Sequence, residues 1–168
     1  MTEPRYDVVA IGNAIVDVIA RCDDELIGEL ELNRGGMTLV DAQGADRLYA
    51  AMGPATEKSG GSAANTLAGL SSLGLQCAFI GQVADDQFGK VFAHDIRAIG
   101  IDFDTLARAG DPPTGRCLIF VTPDGERTMN TFLGASQFLP AAALDEELIA
   151  SAAVLYLEGY LWDPEEPR

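Results

Sequence analysis

The stretch Tyr6-Asp7-Val8-Val9-Ala10-Ile11-Gly12-Asn13-Ala14-Ile15-Val16-Asp17 begins with an apolar run that breaks at Gly12 and resumes at Ile15. Tyr6 to Ile11 carries Val8 and Val9 and lacks polar alternation, which predicts a first strand buried on both faces. Ile15 to Ala20 continues in a strand-like manner. If the backbone stays extended between the two runs, Asn13 and Asp17 project to one face with Ile15 between them. An ionised Asp only accepts hydrogen bonds, whereas Asn donates and accepts, so the pair suits neighbouring hydroxyls of a sugar. The same residues equally suit an Asx turn with Asp17 exposed at a sheet edge.

Outward from this stretch, the pattern alternates. Asp23 to Leu30 predicts a short helix capped by Asp23 or Asp24, and Met37 to Val40 a brief strand. Asp41 caps an apolar-periodic segment running through Leu48 and Met52. Gly60-Gly61-Ser62 opens a further helix, with Leu67, Leu70 and Leu73 at helical spacing and Gly74 as its stop. Cys77 to Val83 predicts another buried strand, and Asp85 to Ile99 a helix ending at Gly100. Alternation of this kind argues for a parallel α/β sheet. It is then interrupted by two strand-like runs, Cys117 to Thr122 and Arg127 to Leu133, around Pro123-Asp124-Gly125-Glu126. Asp-Gly readily takes the positive φ of a tight turn, so this segment predicts a hairpin and a β-rich flap beside the main sheet. Pro140 to Ser151 returns to a helical pattern and Val154 to Tyr160 to a strand.

Composition removes several functions. The 168 residues carry a formal charge of -15, which opposes binding to nucleic acid or to an anionic membrane surface. Any anionic substrate needs its own local cation. Cys22, Cys77 and Cys117 are widely spaced without a CxxC, so they read as free thiols, not as a zinc ribbon or a disulfide framework. No metal-ligating cluster is evident, and His94 stands alone in an ordinary helix-surface setting. No secretory signal precedes Tyr6, and no apolar stretch reaches bilayer length, so a cytoplasmic location is expected.

Four further segments hold candidate chemistry. In Lys58-Ser59-Gly60-Gly61-Ser62-Ala63-Ala64-Asn65-Thr66, paired glycines before a helix let a ligand approach backbone N–H groups. Asn65 lies about one helical turn after Gly61 and can face the same ligand. The segment is neither a P-loop nor GxGxxG, and an ordinary glycine-rich helix start also accounts for it. Gly81-Gln82-Val83-Ala84-Asp85-Asp86-Gln87-Phe88-Gly89 reads mainly as a helix start capped by Asp85, with a packing Phe88. Arg127, in the hairpin's second strand, reads alone as a solvated strand arginine. Glu158, in the apolar run Tyr156-Leu157-Glu158-Gly159-Tyr160, is costly unless paired, and so points to the sheet's end near a ligand or to a salt bridge.

Taken in order, these motifs resemble the ribokinase-like family, also called the PfkB carbohydrate kinases. The resemblance rests on Gly-Asn-x-x-x-Asp after the first strand, the Gly-Gly-Ser-x-x-Asn helix start, and Ile-Gly-x-Val-x-Asp-Asp-x-Phe-Gly. It also rests on the Asp-Gly-Glu-Arg hairpin with Leu-Gly-Ala beyond it, and covers essentially the whole chain. It implies a doubly wound, Rossmann-like α/β domain of ribokinase type, truncated, with a small β lid. Residues 1–168 then form the N-terminal substrate-binding part, with lid elements near 12–20, 36–41 and 115–134. By similarity, Asn13, Asp17, Gly61 and Asn65 bind substrate hydroxyls, and Gly60 shapes the loop. Ser62, where ribokinases proper commonly carry lysine, together with the longer Gly12-to-Asp17 spacing, is similar to the adenosine-kinase branch. Arg127 matches a lid arginine that helps neutralise the transferring phosphate, and Glu158 matches a ribose-contacting glutamate.

The family reaction implied is transfer of the ATP γ-phosphoryl, with Mg2+, to a sugar hydroxymethyl group, with an Asp accepting the hydroxyl proton. That Asp belongs to a Gly-Ala-Gly-Asp motif that is not found in these 168 residues, nor is a nucleotide site. The chain alone is therefore expected to be inactive and to supply only the substrate half of a kinase for a ribosyl compound, adenosine first. A non-catalytic sugar- or nucleoside-binding module is the alternative. An NAD-dependent oxidoreductase is disfavoured by the absence of a glycine fingerprint after the first strand. Lids of this family often pair between subunits, so the resemblance also implies a homodimer through Leu118, Phe120 and Met129.

Overall fold

A computed structural model of the chain describes residues 3–162. Its elements run β1 (Tyr6–Ile11), β2 (Ile15–Arg21), α1 (Asp24–Glu29), β3 (Met37–Leu39), α2 (Ala42–Ala51), β4 (Ala55–Gly60), α3 (Ser62–Ser72) and β5 (Cys77–Ile80). They continue with α4 (Gln87–Ala98), β6 (Ile101–Asp102), β7 (Gly115–Val121), β8 (Arg127–Phe132), α5 (Glu146–Ala150) and β9 (Ala152–Leu157). Two sheets result. One is parallel, in the order β6-β5-β1-β9; the other is mixed, in the order β3-β8-β7-β2-β4.

The parallel sheet is covered on both faces, as the apolar reading of β1 requires. Val8, Ala10, Cys77 and Phe79 join the main core with Leu67 of α3 and with Phe92 and Ile96 of α4. Val9, Ala78 and Ile80 face a second cluster with Leu139 and Leu161, against which Leu148 of α5 packs. Phe79, Phe92 and Phe103 meet ring to ring at centroid distances of 5.2–5.9 Å. Burial of each such side chain contributes roughly 1.5–3 kcal/mol. Four helices start at an aspartate that accepts a first-turn N–H: Asp23 from Leu26, Asp41 from Gly44, Asp86 from Gly89 and Asp145 from Leu148. Each such cap stabilises by about 1 kcal/mol, so part of the acidic composition is structural.

The mixed sheet has two unlike faces because side chains alternate along its strands. Val16, Val18, Leu118 and Phe120 are fully buried beneath it and join the main core with Leu48 of α2. Ile15, Cys117 and Ile119 form a separate cluster on the other face, with Met129 and Leu133 packed against them. Leu118 and Phe120 are therefore not the pairing surface expected of them. The alternate residues of β7 occupy the outward face, and only Met129 of the expected set packs there. Arg116, also beneath the sheet, pairs with Asp46 of α2 and lies over the Phe88 ring of α4 at 5.2 Å. Asp95 of α4 accepts the Ser59 N–H at 2.7 Å and the Ser59 hydroxyl at 2.8 Å. These two carboxylates tie the sheet to the helices.

Several boundaries differ from the sequence reading. β4 and β6 lie in segments read as connections; both lack a strong alternating pattern and are strands only through their partners β2 and β5. Asp86, not Asp85, caps α4. Pro140 to Ser151 is not one helix but a 3-10 turn at Ala141–Ala143 followed by α5, because the Asp145 side chain starts a new helix. The last strand ends at Leu157, and Glu158 lies just beyond it. His94 is exposed, as expected, and the three cysteines are free.

β9 has the continuous apolar sequence of an interior strand yet forms the sheet's edge, with Val154 54% and Leu157 60% exposed. Open apolar edges template association. The 168-residue chain expressed as it stands is expected to self-associate through this edge. Val154→Lys with Leu157→Lys should shift it toward monomer in sedimentation; an unchanged distribution would move the association elsewhere.

Candidate functional site

The chain passes from one sheet to the other at Gly12–Ala14, between β1 and β2, and again at Gly60–Gly61, between β4 and α3. A cleft of about 820 Å³ opens at these crossings, lined by Asn13, Asp17, Gly61, Ser62, Asn65, Arg127 and Glu158. Its volume lies in the range of small-molecule sites, roughly 300–1,000 Å³. Motifs spread over 146 positions thus converge (158 less 13, both ends counted). Gly60 does not line the cleft itself; a Cβ there would lie 2.3 Å from the Asp17 carboxyl carbon, so the glycine leaves room for that side chain.

Asp17 sits on β2, half-buried, opposite Lys58 of β4 and Cys117 of β7. Burial pushes its carboxyl up to about 6, against the Asn65 side-chain hydrogen bond and the Arg127 charge, which both lower it. Asn13 is buried, its side-chain Oδ1 has no hydrogen-bond partner, and its backbone N–H donates to Glu158 Oε1 at 2.7 Å. Gly61 holds φ +93, and a Cβ on it would lie 2.3 Å from the Asn13 carbonyl oxygen. This close approach is what the paired glycines permit. Asn65 follows one turn into α3, its N–H donating to the Gly61 carbonyl at 2.9 Å.

Sequence reasoning missed the apolar wall. Met37 and Leu39 of β3, Ile119 of β7, Met129 of β8 and Leu133 also line the cleft, and the strand residues among them share the outward face of the mixed sheet with Asp17 and Arg127. The available signal was the continuous apolar run Cys117-Leu118-Ile119-Phe120-Val121 of β7, whose outward residues also have to face something. Cys117 also lines the cleft, but burial pushes its thiol up to about 11, and it accepts from the Thr131 hydroxyl at 3.2 Å. It is a wall residue and not a nucleophile. A smaller cavity of about 340 Å³, walled by Phe79, Leu106, Pro140 and Leu148, contains none of the candidate residues.

The family model for pfkB family carbohydrate kinases matches residues 5–167. The chain belongs to this family. Among solved structures, the pfkB-family chain is similar to an adenosine kinase from Sinorhizobium meliloti, with 54% identity, a TM-score of 0.88, and coverage of 97% of this chain and 50% of that one. It is similar to a probable sugar kinase from Rhizobium etli, with 50% identity, a TM-score of 0.88, and coverage of 97% and 49%. It is also similar to the guanosine-inosine kinase of Escherichia coli, 29% identical over 166 residues, covering 92% of this chain and 37% of that protein. The pfkB-family chain thus spans about half the length of these solved structures and 37% of that curated relative. The mixed α/β architecture agrees with the ribokinase-type fold of these relatives.

Family membership implies ATP and a divalent metal for kinase chemistry. Among the described residues, no three His, Cys, Asp or Glu gather into a metal site. The charged groups of the cleft are two carboxylates, Asp17 and Glu158, and one guanidinium, Arg127. That donor set suits an uncharged polyol and repels a triphosphate. The cleft residues therefore do not fit the nucleotide and its metal. Among the described residues, no helix is long and apolar enough to cross a membrane.

Proposed function

We propose that this chain supplies the substrate-binding half of an ATP-dependent kinase that phosphorylates the hydroxymethyl group of a ribosyl compound, with adenosine as the first candidate. One observation carries the reading. Acceptors and donors for hydroxyls (Asp17, Asn65 and the unpartnered Asn13 Oδ1) line one cleft together with an apolar surface of Met37, Leu39, Ile119 and Met129. A nucleoside has this division, with a polyol at one end and a flat apolar base at the other. The mixed sheet acts as the lid. Gly60 and Gly61 shape the loop, Ser62 flanks it, and Arg127 supplies positive charge for the phosphate being transferred. The catalytic Asp and the residues that bind ATP and Mg2+ belong to the full-length protein outside these 168, so this chain alone is expected to be inactive. The reading implies a small-molecule partner and a cytoplasmic enzyme. Homodimerisation through the lid rests on the family resemblance and on exposed Met37 and Leu39 at its edge.

Calorimetric titration with adenosine, ribose and fructose tests this reading. Adenosine is expected to bind more tightly than ribose, because ribose leaves the apolar wall unfilled. Tighter binding of fructose would move the substrate class to free sugars. Retention of adenosine binding by a full-length protein without ATP-dependent turnover would favour the non-catalytic binding module. Asp17 must be ionised to accept from two hydroxyls. Affinity is therefore expected to fall as the pH drops through about 6, by up to about tenfold per unit. A flat profile between pH 8 and pH 5 would remove Asp17 from the contact.

A further inference from the structure

We propose that Glu158 is a positioning residue and not a substrate ligand: its carboxylate staples the end of β1 to the start of α3 and thereby aims Asn13 into the cleft. The proposal rests on the nucleoside reading above and reassigns Glu158, which the family resemblance makes a ribose contact. A carboxylate offers about four lone-pair sites, and protein donors take three of them here. The Asn13 N–H donates to Oε1 at 2.7 Å, the Ala63 N–H to Oε2 at 2.9 Å, and the Ser62 hydroxyl also to Oε2.

The surroundings are built for this staple. The N-cap position of α3 is Gly61, which has no side chain to cap the helix. Its first-turn N–H groups and the positive end of its dipole are left open. Glu158 provides the missing acceptor from 95 residues away along the chain. Gly12 is small for the same reason: a Cβ there would lie 2.7 Å from both the Glu158 carboxyl and the Ala63 Cβ. The Asn13 N–H is therefore held by Glu158, and Gly61 packs closely against the Asn13 carbonyl oxygen. The Asn13 side chain is left as the free end, with Oδ1 buried and unpartnered beside the cleft. The two cleft carboxylates thus divide their work: Asp17 faces substrate and Glu158 holds the frame.

A double-mutant cycle separates the two roles. Adenosine affinity is measured by calorimetry for the wild type, Glu158→Gln, Asn13→Ala and the double variant. 2′-Deoxyadenosine and 3′-deoxyadenosine are titrated into the wild type and Glu158→Gln. Loss of a charged hydrogen-bond staple is expected to weaken adenosine binding roughly tenfold or more in Glu158→Gln. In the Asn13→Ala background the further loss should shrink to less than about threefold, since the aim of a missing side chain no longer matters. Both deoxynucleosides should lose as much as adenosine does. The proposal is overturned if the Glu158→Gln loss persists in full without Asn13 and vanishes when one ribose hydroxyl is deleted, which marks direct contact. If the wild type binds no nucleoside, the functional reading fails and amide hydrogen exchange decides the staple. Glu158→Gln should deprotect the Asn13 and Ala63 amides, and unchanged protection overturns it.

Discussion

Replacing Asp17 with asparagine is expected to stabilise the folded protein while removing most of its affinity for a nucleoside. Burial raises the Asp17 carboxyl from 3.8 to about 6. Between those values the folded chain keeps a proton that the unfolded chain has released. The residue therefore costs nothing below about pH 4 and reaches its full cost above pH 6, where both states are ionised. Two units correspond to about 3 kcal/mol, an upper figure for a side chain that is only half-buried. Asparagine keeps the shape and removes the charge. Urea unfolding at pH 8 should show the variant more stable by up to about 3 kcal/mol, with the difference gone at pH 4. Adenosine affinity should fall by about 10–100-fold, the worth of a hydrogen bond to a charged group. Equal stability of the two proteins at pH 8 would mean that the carboxylate is solvated and the site is not poised in this way. Opposite signs in stability and binding are the expected signature of a group kept for function at a cost to the fold.

Gly61→Ala carries the largest expected loss of stability. The residue holds φ +93, and its new Cβ would lie 2.3 Å from the Asn13 carbonyl oxygen, a backbone atom that cannot swing aside. With ψ at 147 the residue sits in a region essentially reserved for glycine, which costs about 1–3 kcal/mol for an L-residue, and moving the Asn13 peptide adds to it. A total of about 3 kcal/mol or more is expected, together with loss of binding as Asn13 shifts. Gly69, within the same helix α3, is exposed, and a Cβ there meets nothing within 4 Å. Gly69→Ala should raise stability by about 0.5–1 kcal/mol. Thermal unfolding of the two variants against the wild type checks both signs at once. If Gly61→Ala is as stable as the wild type, the loop has room that the geometry denies it.

Legibility followed the range of the forces involved. Elements governed by near neighbours were readable in the sequence. The apolar run of β1, the aspartate caps of α1 and α2, the Gly74 stop and the turn at Gly125, where φ is +86, all depend on residues a few positions apart. The polar candidates Asn13, Asp17, Gly61 and Asn65 were legible for a related reason: a sharp glycine turn next to Asn and Asp is a local pattern. β4 was not legible. Ala55-Thr56-Glu57-Lys58-Ser59-Gly60 has little strand propensity, and β2 makes it a strand through six paired positions. Arg116 draws no reading in the sequence, because nothing near it announces Asp46 or Phe88.

By itself, then, the sequence determined the alternation of strands and helices, the helix caps, the hairpin and the order of motifs that marks the family. Each of these is written in spacings of a few residues, where backbone preference and side-chain periodicity act directly. Only the tertiary structure decided which alternate residues of β7 face the cleft, that Met37 and Leu39 share a wall with Met129, and that the Glu158 carboxylate accepts from the Asn13 and Ala63 amides. Those outcomes depend on how two sheets pack on shared helices. Burial and hydrogen-bond satisfaction are settled there between residues up to 145 positions apart, a distance over which local sequence carries no information.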